Sequence, residues 1–138
     1  MATIHRDVLI DAAPEEVWSA LRDWGAVHRR LAPGFVVGTR VRGDVRVVTF
    51  ADGTVVDELI VSLDDDTRRI AYAVVGGSLD ADHHHATMRV LDADAGRSRF
   101  VWTIDVRPHA LAGPIAEMVD QGVSVIRRTM ESGRSGAA

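Results

Sequence analysis

At 138 residues, with 46% hydrophobic and 26% charged side chains, the chain has the balance of one globular domain, long enough to bury roughly two-thirds of its unfolded surface. A formal net charge of −4, with arginines scattered or paired rather than massed, argues against nucleic acid as the main partner, and no apolar run approaches the roughly 20 residues of a membrane span. Cysteine and lysine are both absent, which excludes thiol nucleophiles, disulfides, thiolate metal sites and Schiff-base chemistry and leaves Asp, Glu, His and Tyr as acid–base candidates.

Residues 1–7 have neither the basic start nor the apolar run of a secretory leader, so the expected address is the cytoplasm. An alternating strand from Ile4 runs into Asp11, Ala12, Ala13 and Pro14. Pro14 suits the first turn of a helix, where a missing N–H costs nothing. Glu15 and Glu16 complement the positive end of the helix dipole. Val17, Trp18 and Leu21 continue at helical spacing, and Gly25 is expected to break the helix after about two turns. A second short helix is expected to follow, carrying Trp24, His28 and Leu31.

The period then changes to two. Strands are expected over 36–42 and 45–50, joined by Gly43 and Asp44, and over 54–63 after a turn at Ala51, Asp52 and Gly53. The run Asp64, Asp65, Asp66 closes that strand. Strands over 69–75, 82–91 and 99–107 complete a set of seven. Short links force antiparallel neighbours, so the sheet is expected to be a meander. Pro108 ends the last strand, and residues 111–131 return to helical spacing, with Ile115, Met118, Val119, Gly122, Ile126 and Met130 on one stripe. Residues 132–138 are small and polar and are expected to fray. The expected class is α+β in the order β-αα-β6-α, one domain over 1–131. The long helix must lie on the curved seven-stranded antiparallel sheet, and the gap left between them is a natural cavity.

The segment from Ala12 to Leu21 resembles the opening of the polyketide cyclase/dehydrase-like family, within the START/Bet v 1-like (SRPBCC) superfamily. Asp52-Gly53, Glu58-Leu59, the strand from Arg69 to Tyr72, the run from Ala86 to Val90, and Val101-Trp102-Thr103 extend the resemblance over essentially the whole chain. The resemblance implies a helix-grip fold and a cavity for a hydrophobic small molecule, polyketide-like, aromatic or isoprenoid. No one reaction follows from it.

Alternation supplies an inventory of the faces. Met88 and Val90 share a face with Ala86 and His84, which are expected inside, and His83 and His85 outside. Three consecutive strand histidines cannot converge on one metal ion, and no third ligand accompanies His83 and His85, so no metal is expected. No cofactor is implied either. Phe100, Trp102, Ile104 and Val106 form the inner face of the last strand, and Ile70, Tyr72 and Val74 that of the fifth.

The strand over 54–63 is ambiguous, with Val56, Glu58 and Ile60 on one face and Val55, Asp57, Leu59 and Val61 on the other. Glu58 resembles a glutamate that the family often carries here. That resemblance favours the inside, paired with Arg46, over a sheet-surface charge.

His84 is thus a candidate anchor for a ligand or, with Glu58, a candidate general base. Tyr72 and Arg46 are candidate donors. In the resembling fold the segment bearing Trp24, His28 and Phe35 forms a lip of the cavity mouth; His28 reads equally as a solvated helix histidine. Met88, Trp102, Met118, Gly122 and Ile126 are candidate walls, Gly122 leaving room for a ligand or a close strand. The expected function is binding of a hydrophobic small molecule. The alternatives are cyclisation or dehydration of such a compound with His84 or Glu58 as base, and a module that signals ligand occupancy. A homodimer is left open.

Overall fold

The computed structural model describes the backbone of residues 1–136 and the side chains of residues 1–133. Seven strands form one antiparallel sheet: β1 (Ala2–Ile10), β2 (Val36–Arg42), β3 (Val45–Phe50), β4 (Val55–Asp64), β5 (Arg69–Gly77), β6 (His83–Asp92) and β7 (Ser98–Arg107). Their order across the sheet is β1-β7-β6-β5-β4-β3-β2. Strands β2 to β7 follow the expected meander, and β1 closes the order by pairing with β7. Among the described residues no helix is long and apolar enough to cross a membrane.

Helix α1 (Pro14–Arg22) starts where Pro14 and the two glutamates predict. It ends at Arg22, ahead of Gly25, because Asp23 leaves helical geometry with ψ at 64°. Arg30 closes this end by donating to the Ser19 carbonyl (3.1 Å), the Ser19 hydroxyl (2.9 Å) and Asp23 (3.0 Å), which satisfies a carbonyl the last turn leaves open. Gly25 serves close approach instead: a Cβ there would stand 2.8 Å from Val41 Cγ2. The acidic turn after β4 packs on the helix, Asp65 accepting from Trp18 Nε1 (2.9 Å) and Arg22 Nε (2.8 Å).

The second expected helix is a five-residue π-helical turn, Val27–Leu31, closed by the Ala32 N–H on the Val27 carbonyl at 2.8 Å. Helix α2 (Ala112–Gly136) runs through residues expected to fray as far as Gly136; residues 137 and 138 lie outside the described residues. Its buried stripe is Ile115, Val119, Gly122, Val123 and Ile126. It packs on the concave face of the sheet and is tied to β1 by Arg6 Nε on Asp120 at 2.6 Å. This is the helix-grip fold.

Strand β4 shows why its alternation is ambiguous. Its register on β5 shifts twice, between Asp57 and Glu58 and between Ile60 and Ser62. Val56, Glu58 and Ile60 turn inward, Val61 is left exposed, and Leu63 returns to the core.

Candidate functional site

Between the sheet and α2 lie two small chambers of about 50 Å³ each. Phe35, Phe50, Glu58, Tyr72 and Trp102 line both and form the partition. Val74, Leu79, His84 and Met118 are among the residues that line only the first chamber, while Arg46, Met88, Gly122 and Ile126 face the second.

The polar groups are few and converge by register. Arg46 on β3 stands directly opposite Glu58 on β4, and its Nε donates to Glu58 Oε1 at 2.7 Å. Both side chains are buried. A buried ion pair is stable only when its remaining hydrogen-bonding capacity is met. Here a second Arg46 nitrogen donates to the Trp24 carbonyl at 3.3 Å, and the guanidinium carbon lies 5.0 Å from the centroid of the Tyr72 ring. Burial pushes the Glu58 carboxyl above its usual range, with the Arg46 charge opposing that rise.

Tyr72 on β5 and Trp102 on β7 meet across β6, where Ala86, the partner of Tyr72, leaves the concave face open. Trp102 Nε1 donates to the Tyr72 hydroxyl at 3.2 Å. Burial, and then the Glu58 charge, push the Tyr72 phenol up, so it stays protonated. His84 lies beside Tyr72, the rings 6.4 Å apart and 29° from parallel. Its Nδ1 is buried without a hydrogen-bond partner. Burial lowers the His84 pKa to about 4, opposed by an interaction with its own backbone and helped by the flanking His83 and His85. The imidazole is therefore neutral near pH 7.

The parity of β6 is as expected: His84 is buried, His83 is exposed and His85 half-buried. Among the described residues no cluster of three or more His, Asp or Glu side chains is placed to hold a metal ion. Ten of the candidate residues meet at the chambers: Phe35, Arg46, Glu58, Tyr72, His84, Met88, Trp102, Met118, Gly122 and Ile126. Trp24 and His28 do not line either one. Trp24 sits in the bend after α1 and offers its carbonyl to Arg46, not its ring to the cavity. Val27 and Leu31 turn inward from the π-helical turn, so His28, one residue along, points elsewhere, its N–H 3.4 Å from Thr39 Oγ1.

Two lining residues carried a usable signal or none. Phe50 shares the period-two face of Arg46 and Val48 on β3 and was readable by alternation. Leu79 lies between β5 and β6, where no periodicity marks it. The mouth expected over Trp24 to Phe35 narrows to Phe35, which also lines an open groove on the outer side with Pro33, Gly34, Ala51 and Val125.

The family model described as "Polyketide cyclase / dehydrase and lipid transport" matches residues 1–133. No curated protein matches the chain in sequence. Among solved structures, a Bacillus thuringiensis protein superposes with a TM-score of 0.83 at 14% identity, over 94% of this chain and 98% of that one. A Thermobifida fusca protein gives 0.77 at 24% identity, over 95% and 91%. A point mutant of Thalictrum flavum norcoclaurine synthase, in complex with a transition-state analogue, gives 0.66 at 21% identity over 96% of each chain. At these identities the structural likeness is one of fold. With its sequence matched from the first residue into the last turns of α2, and with this sheet and helix order, the chain belongs to the polyketide cyclase/dehydrase and lipid transport family and has its Bet v 1-like fold.

Proposed function

We propose that the chain binds a hydrophobic small molecule between the curved sheet and α2, with its polar end held by Tyr72 and His84. One observation carries this reading. The cavity walls are apolar except for a short buried set, Arg46, Glu58, Tyr72 and His84, which is the composition of a small-molecule site.

The resting chambers are small. Benzene occupies a core cavity of about 150 Å³, so a ligand of polyketide, aromatic or isoprenoid size joins the two chambers by moving the partition. Phe35 and Trp102 are half-buried and are the rings that move.

Holding is favoured over cyclisation or dehydration. An imidazole with a pKa near 4 is a weak base for removing a proton α to a carbonyl. The Glu58 carboxylate is already engaged by Arg46.

Native mass spectrometry of the protein purified from its own host tests the proposal. A co-purified lipophile, lost from a Gly122→Leu variant that still folds, is the expected result. A ligand-free protein that also shows no thermal shift with a panel of aromatic and isoprenoid compounds overturns it.

A further inference from the structure

The ion pair decides what kind of ligand the first chamber accepts. Among the described residues lining the two chambers, Arg46 is the only fixed cation and Glu58 the only carboxylate. They neutralise each other at 2.7 Å. Arg46 has a second commitment to the Trp24 carbonyl and lies over the Tyr72 ring, and it faces the second chamber, not the first. A carboxylate placed in the first chamber would lose its hydration, meet no free cation and stand near Glu58. An ammonium group would lose its hydration and share with Arg46 a carboxylate whose charge Arg46 already neutralises.

Glu58 bonds Arg46 through Oε1, and besides its second oxygen two neutral hydrogen-bonding functions line the first chamber. The Tyr72 oxygen accepts from Trp102, and no described acceptor takes its proton. His84, eight per cent exposed, lines the same chamber, and its buried Nδ1 has no hydrogen-bond partner among the described residues. The neutral imidazole carries one N–H donor and one ring-nitrogen acceptor. An uncharged oxygen that accepts from the phenol and bonds the imidazole fits both, and a hydroxyl or a ketone supplies one.

We propose that the first chamber selects an uncharged oxygen function, hydroxyl or ketone, on an apolar ligand and rejects carboxylates, with Tyr72 and His84 as the specificity-determining residues. This rests on the reading of the cavity as a binding site.

A matched series on one ring system tests it: 2-naphthol, 2-methylnaphthalene and 2-naphthoate, titrated calorimetrically into the full chain at pH 7.5. Two neutral hydrogen bonds predict that 2-naphthol binds about tenfold tighter than 2-methylnaphthalene. 2-Naphthoate is expected to show no binding. In Tyr72→Phe and His84→Leu the ratio of naphthol to methylnaphthalene affinity falls towards one, and a thermal melt on each variant checks that it is folded. Equal affinities for the hydroxyl and methyl compounds in the wild type overturn the selection of oxygen, and naphthoate binding as tightly as naphthol overturns the rejection of charge. Both results leave the binding reading intact. If none of the three compounds binds the wild type, the proposed selection falls, while the binding reading stands or falls by the co-purification and thermal-shift results.

Discussion

Gly122 on α2 and Trp102 on β7 are fitted to each other: a Cβ at position 122 would stand 3.2 Å from Trp102 Cζ3 and 3.3 Å from Phe35 Cε2. The helix crosses the partition at its one glycine on the buried stripe. Replacing Gly122 by Ala adds about 1 kcal/mol of helix propensity. The same methyl presses on two half-buried rings that border open space and can yield a few tenths of an ångström. Gly122→Ala is therefore expected to stay within about 1 kcal/mol of wild type in urea unfolding. Its affinity for a cavity ligand is expected to fall, because the rings must move further to join the chambers. Calorimetric titration with the same ligand reads that loss; an unchanged affinity would show that the partition does not limit binding.

Arg46 and Glu58 make a buried pair whose two single losses are not equivalent to losing both. Arg46→Leu leaves a carboxylate in an apolar cavity and is expected to cost about 3–5 kcal/mol near pH 7. Glu58→Leu strands the guanidinium in the same way. The double variant removes both charges and is expected to recover most of that cost. A urea double-mutant cycle measures this, and additive losses would mean that the charges act independently. Acidification separates the two singles. Protonating Glu58 relieves Arg46→Leu at low pH, while Glu58→Leu, with an arginine that stays charged, gains nothing comparable.

His84 gives stability a definite dependence on pH. Its pKa in the folded protein is about 4, below the ordinary 6.5, because burial disfavours the imidazolium. The unfolded chain takes up the proton first, so the contribution is fully present above pH 6.5 and is lost as pH falls towards 4. The loss is on the order of 3 kcal/mol across that window. Raised by burial, Glu58 works in the opposite sense, since the folded state binds its proton first as pH falls. Comparing wild type with His84→Leu at pH 5 and pH 7.5 isolates the histidine. The variant is expected to lose less stability than wild type between those values; equal losses would place the His84 ring in water.

How much of this was legible in the sequence depends on backbone regularity. Strand β6 runs in unbroken register against β7, from His83 opposite Arg107 to Asp92 opposite Ser98, so parity alone placed His84 inside and its neighbours outside. On β4 two register shifts and apolar residues on both faces cancel that signal, and only the resemblance of Glu58 to a family glutamate favoured the inner face. Trp24 and His28 sit in a bend and a π-helical turn, which have no period to count from. Of the three expected lip side chains, Trp24, His28 and Phe35, only Phe35 reaches the cavity, just before β2, whose register on β3 shifts between Val36 and Gly38.

Phe35 is the remaining test, because it touches everything the ligand must pass. It lines both chambers and the outer groove, and its ring meets Phe50 edge-on at 5.3 Å. Truncation to Ala removes a gate and a wall together, and the two roles separate in kinetics. As a wall, Phe35 contributes apolar contact to the bound ligand, so its loss speeds dissociation and leaves association alone. As a gate, it holds a barrier that both directions cross, so its loss speeds association and dissociation alike and changes the equilibrium constant less than either rate. The position of Phe35 in all three spaces predicts the second pattern, with association of a cavity ligand rising about tenfold in stopped-flow measurements on Phe35→Ala, equivalent to about 1.4 kcal/mol off the barrier. Phe50→Ala, which lines the same chambers but not the groove, is expected to speed dissociation only. If the two variants behave alike, the ligand passes somewhere other than between Phe35 and α2.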